Sequence, residues 1–176
     1  VNFDGNDDNV VIPYSASFPT TGSVSIAAWF KSSASATLYL IYAPYNSWGY
    51  RLGTNTGKAW ADFSSSVPTG YPITGNTTVS DNSWHHVVAT YSQSTGMINL
   101  YLDGKVNAVP VIGPSALRAY FGNSYIGSYG TLGGGYFPGQ IDDVRLYNYA
   151  LSANQVKQLY NGGSALQFAP AQGAAP

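Results

Sequence analysis

An all-β, antiparallel two-sheet sandwich of the jelly-roll kind, closed by one short C-terminal helix, is the fold this sequence predicts. Three observations predict it. Apolar residues alternate with polar ones along several stretches, which is the period of a half-buried strand. Many short strand candidates are separated by Gly, Asn, Asp and Pro, the residues that turns require. A single stretch shows helical spacing together with a capping signal.

Taken in order, "SVSIAAWFKS" places Val24, Ile26, Ala28 and Phe30 on one face and Ser25, Ala27, Trp29 and Lys31 on the other. "TLYLIY", "GYRLG" and "KAWADF" follow as shorter strands, and Trp29 and Trp60 read as core or half-buried positions within such alternation. "WHHVVATY" puts His85 on a face with Val87, Ala89 and Tyr91, and His86 on a face with Trp84, Val88 and Thr90. Both faces are apolar, as in a central strand covered on two sides. On this reading Trp84 is buried, and Trp84→Ala is expected to cost ~3–5 kcal/mol. "MINLYL" alternates again, and Asp103-Gly104 supplies a tight hairpin turn. "SYIG" and "QIDDVRLYN" complete the strands. In "LSANQVKQLYNGG", Ser152 and Gln155 form a capping box, Val156, Leu159 and Tyr160 an apolar stripe, and Gly162 a stop, which predicts a helix over 153–161.

The chain has 176 residues, enough for one domain, expected over 1–163. Residues 164–176, rich in Ala, Pro and Gly, read as a linker or tail. The chain begins at Val1 without a basic leader, which suggests a mature or excised domain. Only 9% of residues are charged and the net charge is −1, so the electrostatic footprint of a nucleic-acid binder is missing. No apolar run approaches the roughly 20 residues of a membrane helix. With no cysteine, disulfides, thiolate metal sites and cysteine nucleophiles are excluded together.

Four stretches in this order, "FDGNDDNVVIP", "SVSIAAWFK", "WHHVVATYSQSTGMINLYLDGK" and "GQIDDVRLYNYALSANQVKQLY", resemble the landmarks of laminin G-like domains of the concanavalin A-like lectin/glucanase superfamily. The resemblance covers residues 1 to about 162. It implies an antiparallel jelly roll of two curved sheets with the first and last strands adjacent. It also implies an appended module of a secreted or cell-surface protein, here expected to be bacterial or metagenomic. Members bind carbohydrate or protein, and some carry a structural calcium ion.

Catalysis is not expected. His85 and His86 are adjacent in a strand, so they point to opposite faces and cannot serve one site; both are read as hydrogen-bonded packing residues. Glucanases of the resembled superfamily use glutamates in an E-x-D-x-x-E type motif, and this chain has no glutamate. A glycosidase needs two carboxyls at a defined separation, and nothing in the sequence pairs Asp62 with Asp81. The enzymatic alternative, a lyase working through Tyr, His, Arg and Gln, has no recognisable motif here.

The positive signal is aromatic: 15 Tyr and 4 Trp. Sugars offer an apolar C–H face and a polar rim, so their binders combine flat aromatics with amide, carboxylate or guanidinium partners. Tyr45, Asn46, Trp48 and Arg51 in "YAPYNSWGYR" have that composition, and Tyr125, Tyr129 and Tyr136 lie in a second Gly-rich stretch. Trp48→Ala is therefore expected to abolish glycan binding with little change in melting temperature. The competing reading is that these tyrosines cap loops and shield sheet edges.

"FDGNDDN" and "QIDDVR" offer Asp4, Asn6 and Asp142 as oxygen donors for one structural calcium ion. Asp142 alternates with Val144 and Leu146 and is expected to face inward, where a carboxylate needs a cation or donors. Against this, Asp and Asn in a tight turn can satisfy their own backbone without an ion. The expected function is a non-catalytic, lectin-like carbohydrate-binding module. Its partner would be an oligo- or polysaccharide, alongside other domains of the same polypeptide or a surface protein. The alternative is a structural or protein-binding adhesin-type domain.

Overall fold

The computed structural model describes residues 1–15, 18, 21–42, 49–64, 70–117, 122–130 and 135–162. Among these, two antiparallel sheets are present. The first runs β1 (Asn2–Asp4), β13 (Pro138–Tyr147), β3 (Val24–Lys31), β8 (His85–Tyr91), β9 (Met97–Leu102) and β10 (Lys105–Val106), with β11 (Val111–Ile112) also paired to β9. The second runs β2 (Val10–Ile12), β12 (Ser124–Ile126), β4 (Leu38–Tyr42), β5 (Tyr50–Asn55), β6 (Lys58–Ser64) and β7 (Gly70–Thr78). The helix α1 spans Ala153–Gly162. No helix among the described residues is long and apolar enough to cross a membrane. The two-sheet sandwich with its terminal helix is the predicted class, and β1 pairs with β13 as the resemblance implied.

The alternation of β3 divides its residues between two cores. Ile26, Ala28 and Phe30 are fully buried in one cluster with Leu52, Ala61 and Phe63 of the second sheet. Phe63 stacks on Tyr91 across the sandwich, with ring centroids 5.8 Å apart. On the other face, Ala27, Val88 and Tyr101 pack against Leu151 and Val156 of the helical segment. The central pair β3–β8 is thus buried on both sides, which is why its sequence reads apolar on both faces.

Local chemistry agrees with the elements. The turn between β9 and β10 places Asp103 at φ 49° and Gly104 at φ 75°, the left-handed pair that a two-residue hairpin needs. At α1, the backbone N–H of Ser152 donates to Gln155 Oε1 (2.8 Å) and that of Gln155 donates to Ser152 Oγ (3.3 Å), a reciprocal capping box. Gly53 is required for a different reason: a Cβ there would collide with the carbonyl of Leu38 on the neighbouring strand.

Strand β13 departs from simple alternation. Asp142 is opposite Trp29, yet Arg145 is opposite Ala27, so one extra residue is inserted between them. Asp143 carries the irregularity with φ 46°. A bulge of this kind exchanges the faces that follow it. Ile141 points into the sandwich and Leu146 again packs against the core, whereas Asp142 lies on the outer face and is exposed. The inward orientation expected for Asp142 is therefore corrected; its alternation with Val144 and Leu146 is broken at the bulge.

Ser25 fastens the helical segment to the sheet. Its hydroxyl donates to the Tyr149 carbonyl (2.8 Å) and accepts from the Leu151 N–H (2.8 Å), with no exposure to solvent. Ser25→Ala leaves both groups unpartnered in an apolar setting and is expected to cost about 1–3 kcal/mol, read as a lower urea midpoint with an unchanged slope.

Candidate functional site

The outer face of the first sheet carries a row of residues at one end of β3. Asp142, Trp29 and His86 are directly opposite one another on β13, β3 and β8. Asp103 closes the row: its carboxylate Oδ1 accepts from the His86 N–H (2.8 Å), and its own N–H donates to the His86 carbonyl (2.8 Å). Trp29 is half-buried. Its ring stacks on Tyr160 of α1 (5.6 Å, 21°) and lies 5.1 Å from His86.

Trp84 stands beside this row. Strand pairing begins only at His85, opposite Phe30. Before it, the N–H of Ser83 donates to Asp81 Oδ1 (2.8 Å), and Asn82 takes φ 61° while its N–H donates to the Ser32 carbonyl. This tight turn delivers Trp84 to the surface, where it is 42% exposed. Its expected burial is corrected, because alternation was extended to a residue that precedes the ladder. Trp29, Trp84, Asp142 and Asp143 together line an open groove of about 430 Å³. Asp142 Oδ1 accepts from the Asp143 N–H (2.9 Å), and Asp143 Oδ1 accepts from Arg145 Nε (2.7 Å). The Asp143 carboxylate in turn holds the Arg145 guanidinium above its ordinary range.

The two histidines do occupy opposite faces. His86 is 1% exposed, and its Nδ1 has no hydrogen-bond partner among the described residues. His85 sits at the rim, with Nδ1 2.9 Å from Asp103 Oδ2 and Nε2 3.2 Å from Asp81 Oδ1. Backbone contacts within its turn, chiefly the Ser83 N–H, hold Asp81 below its usual value.

The outer face of the second sheet holds a different cluster. Arg51 Nη2 donates to Asp62 Oδ2, and Asp62, 2% exposed, also accepts from the Tyr71 N–H (2.7 Å) and from Ser64 Oγ (3.4 Å). The Arg51 guanidinium lies 5.3 Å from the centre of the Trp60 ring. Tyr39 meets Trp60 edge-on (6.1 Å) and lies 4.9 Å from Tyr129. Two expected ligand residues, Arg51 and Tyr129, thus belong to one cluster, joined through Trp60 and Tyr39. Tyr125 is 7% exposed, paired between Val11 and Tyr42, so its expected surface position is corrected. Tyr136 is half-buried. Tyr45, Asn46 and Trp48 lie outside the described residues.

The calcium donors do not converge as a set. Asp4 pairs with Pro138, and Asp142 is four residues further along β13, roughly 13 Å at the rise of a strand. The carboxylates that gather, within 4.8 Å of one another, are those of exposed Asp4, Asp7 and Asp8. Asp4 accepts from the Asn6 N–H (2.8 Å) and Nδ2 (3.2 Å), and Asp8 Oδ2 accepts from the Asp4 N–H (3.0 Å). Those bonds, chiefly the Asn6 N–H, hold Asp4 below its usual value. The bond from the Asn6 N–H to Asp4 Oδ1 makes an Asx turn, a local closure that Asp and Asn supply from their own side chains.

Trp29, Trp84 and Asp143 were missed as site residues. Composition pointed instead to the Gly-rich loops; the available signal was Asp-Asn-Ser ahead of Trp84, which marks a turn.

The fold is an antiparallel two-sheet β-sandwich with one short terminal helix. A family model of the concanavalin A-like lectin/glucanases superfamily matches residues 4–157. The chain belongs to that superfamily, as a laminin G-like domain. Among solved structures it is similar to a heptameric SAP-like pentraxin from Limulus polyphemus, at 17% identity and a TM-score of 0.67, covering 90% of this chain and 80% of that one. It is also similar to the ligand binding domain of botulinum neurotoxin serotype D in complex with N-acetylneuraminic acid (14% identity, TM-score 0.70, 91% of this chain and 41% of that one). The binding domain of botulinum neurotoxin serotype G gives 14% identity and a TM-score of 0.72, over 92% of this chain and 42% of that one. The chain therefore spans about two fifths of those toxin domains. At these identities the likeness is one of fold. No curated protein matches by sequence.

The buried imidazole gives a pH prediction. Desolvation pushes His86 down from 6.5 to about 4, against the opposing pull of the Asp143 and Asp103 carboxylates. Between those values the unfolded chain takes up a proton that folded His86 refuses. Stability is therefore fully present above pH 6.5 and falls, by on the order of 3 kcal/mol, as pH drops toward 4. Urea midpoints at pH 7 and pH 4.5 measure the loss, and His86→Phe is expected to flatten it.

Proposed function

We propose that this chain is a non-catalytic carbohydrate-binding domain whose site is the groove between Trp29 and Trp84. The observation that carries the reading is the exposure of Trp84, 42%, beside a second indole and two carboxylates in an open groove of about 430 Å³. Folding does not require an indole to stand in water, whereas the C–H face of a sugar ring would cover it. Asp142 and Asp143 are placed to accept hydrogen bonds from ring hydroxyls, the polar half of the same recognition. The reading is also supported by a solved toxin domain, part of which has a similar fold, that is in complex with N-acetylneuraminic acid.

The domain is proposed to act outside the cell as one module of a larger protein. The chain has no glutamate and so lacks the E-x-D-x-x-E type motif of the superfamily's glucanases, which supports a binding role over hydrolysis. The adhesin-type alternative has one observation in its favour: Val106, Val109 and Ile112 are 60%, 80% and 77% exposed around the β10–β11 edge.

A glycan array probed with the wild type and with Trp84→Ala separates the two. The variant is expected to lose glycan binding while keeping stability within about 1 kcal/mol of wild type, since the ring is only half-covered. An unchanged glycan profile for Trp84→Ala would remove the groove from consideration.

A further inference from the structure

We infer, building on the glycan reading above, that the groove selects sugars bearing a free amine: oligosaccharides of glucosamine units rather than neutral or acidic ones. The chain has eight acidic residues. Four of them meet at this end of the first sheet. Asp142 and Asp143 line the groove, Asp103 closes the row behind Trp29, and Asp81 sits in the turn that delivers Trp84.

The positive groups nearby are largely committed. Arg145 Nε donates to Asp143 (2.7 Å), and His85 lies between Asp81 and Asp103. Lys31, two residues from Trp29 on β3 and opposite Gln140, makes no ion pair with Asp142 among the described residues. Asp142 itself spends one oxygen on the Asp143 N–H. A ligand entering between the indoles therefore meets aromatic faces backed by an excess of carboxylate. Indoles attract a cation through the ring quadrupole, and carboxylates add charge-assisted hydrogen bonds from an ammonium. An acidic sugar would instead bring its own carboxylate against Asp142. Neutral sugars gain the stacking and forgo the charge.

The test is titration calorimetry at low and moderate salt with three probes: a glucosamine tetramer, an N-acetylglucosamine tetramer and a sialylated trisaccharide. The amine-bearing tetramer is expected to bind about tenfold more tightly than its acetylated counterpart, with the margin narrowing as salt rises. The pair Asp142→Asn and Asp143→Asn keeps hydrogen-bonding oxygens, and Asn tolerates the left-handed backbone at 143. It is expected to remove that margin, weakening the amine-bearing tetramer about tenfold more than the acetylated one, and to preserve the melting temperature. Trp84→Ala should weaken both tetramers together.

Equal affinity for the two tetramers, or a preference for the sialylated sugar, overturns the charge selection while the glycan reading stands. Tight amine binding that survives the paired Asn variant also overturns it. Failure of the wild type to bind any of the three overturns both.

Discussion

The pair of strands β3 and β8 is buried on both faces, and the rest of the molecule is arranged around that constraint. The inner face, with Phe30 and Val87, meets the second sheet, while Ala27 and Val88 on the outer face meet Leu151 and Val156. A sheet closed on two sides offers a ligand only the place where its cover runs out. Tyr160 stacks on Trp29 and is the last ring of α1 over that row. Past it the groove opens between Trp29, Trp84, Asp142 and Asp143. The helix therefore stabilises the sheet and also fixes one wall of the site, with Ser25 tying its leading segment down.

The bulge in β13 gives the groove its polarity. Without the extra residue, Asp142 and Arg145 would point to opposite faces of the sheet. With it, both lie on the outer face, one opposite Trp29 and the other opposite Ala27. The left-handed backbone at Asp143 (φ 46°) costs of order 1 kcal/mol or more, and such outliers cluster where a side chain must be aimed. Here the residue that bears the strain also contributes a carboxylate to the groove and holds Arg145.

Much of this is legible in the sequence, and the limits are equally specific. The period of β3, the Asp103-Gly104 hairpin and the Ser152–Gln155 box are local signals, and each appears in the structure as read. The bulge is not local: "IDDVRL" continues to alternate on paper, and only the pairing with β3 reveals the inserted residue. Trp84 was misplaced by one position, since a strand's period says nothing about the residue just before its first pair. Tyr125 sits in a Gly-rich stretch that reads as surface, but β12 is short and flanked by β2 and β4, so its ring is covered. Arg51 and Tyr129 were found by composition, yet their partners Trp60, Tyr39 and Asp62 come from strands whose adjacency no local pattern shows.

The two aromatic clusters differ in what a ligand would have to displace. On the second sheet, Asp62 is buried and satisfied by Arg51, the Tyr71 N–H and Ser64. Drawing Arg51 away would leave an unpaired charge in a nearly dry setting, at a cost of about 3–5 kcal/mol, more than one new contact would return. Its rings cover one another through Trp60, Tyr39 and Tyr129. On the first sheet the carboxylates of Asp142 and Asp143 are exposed, and Trp84 stands partly in water. Binding there requires only the release of surface water, with no internal bond broken. The ion pair of the second sheet is thus buried within its framework, whereas Asp143 and its partner Arg145 are exposed beside Asp142 at the open groove, and that difference in burial favours the groove as the face proposed for a ligand.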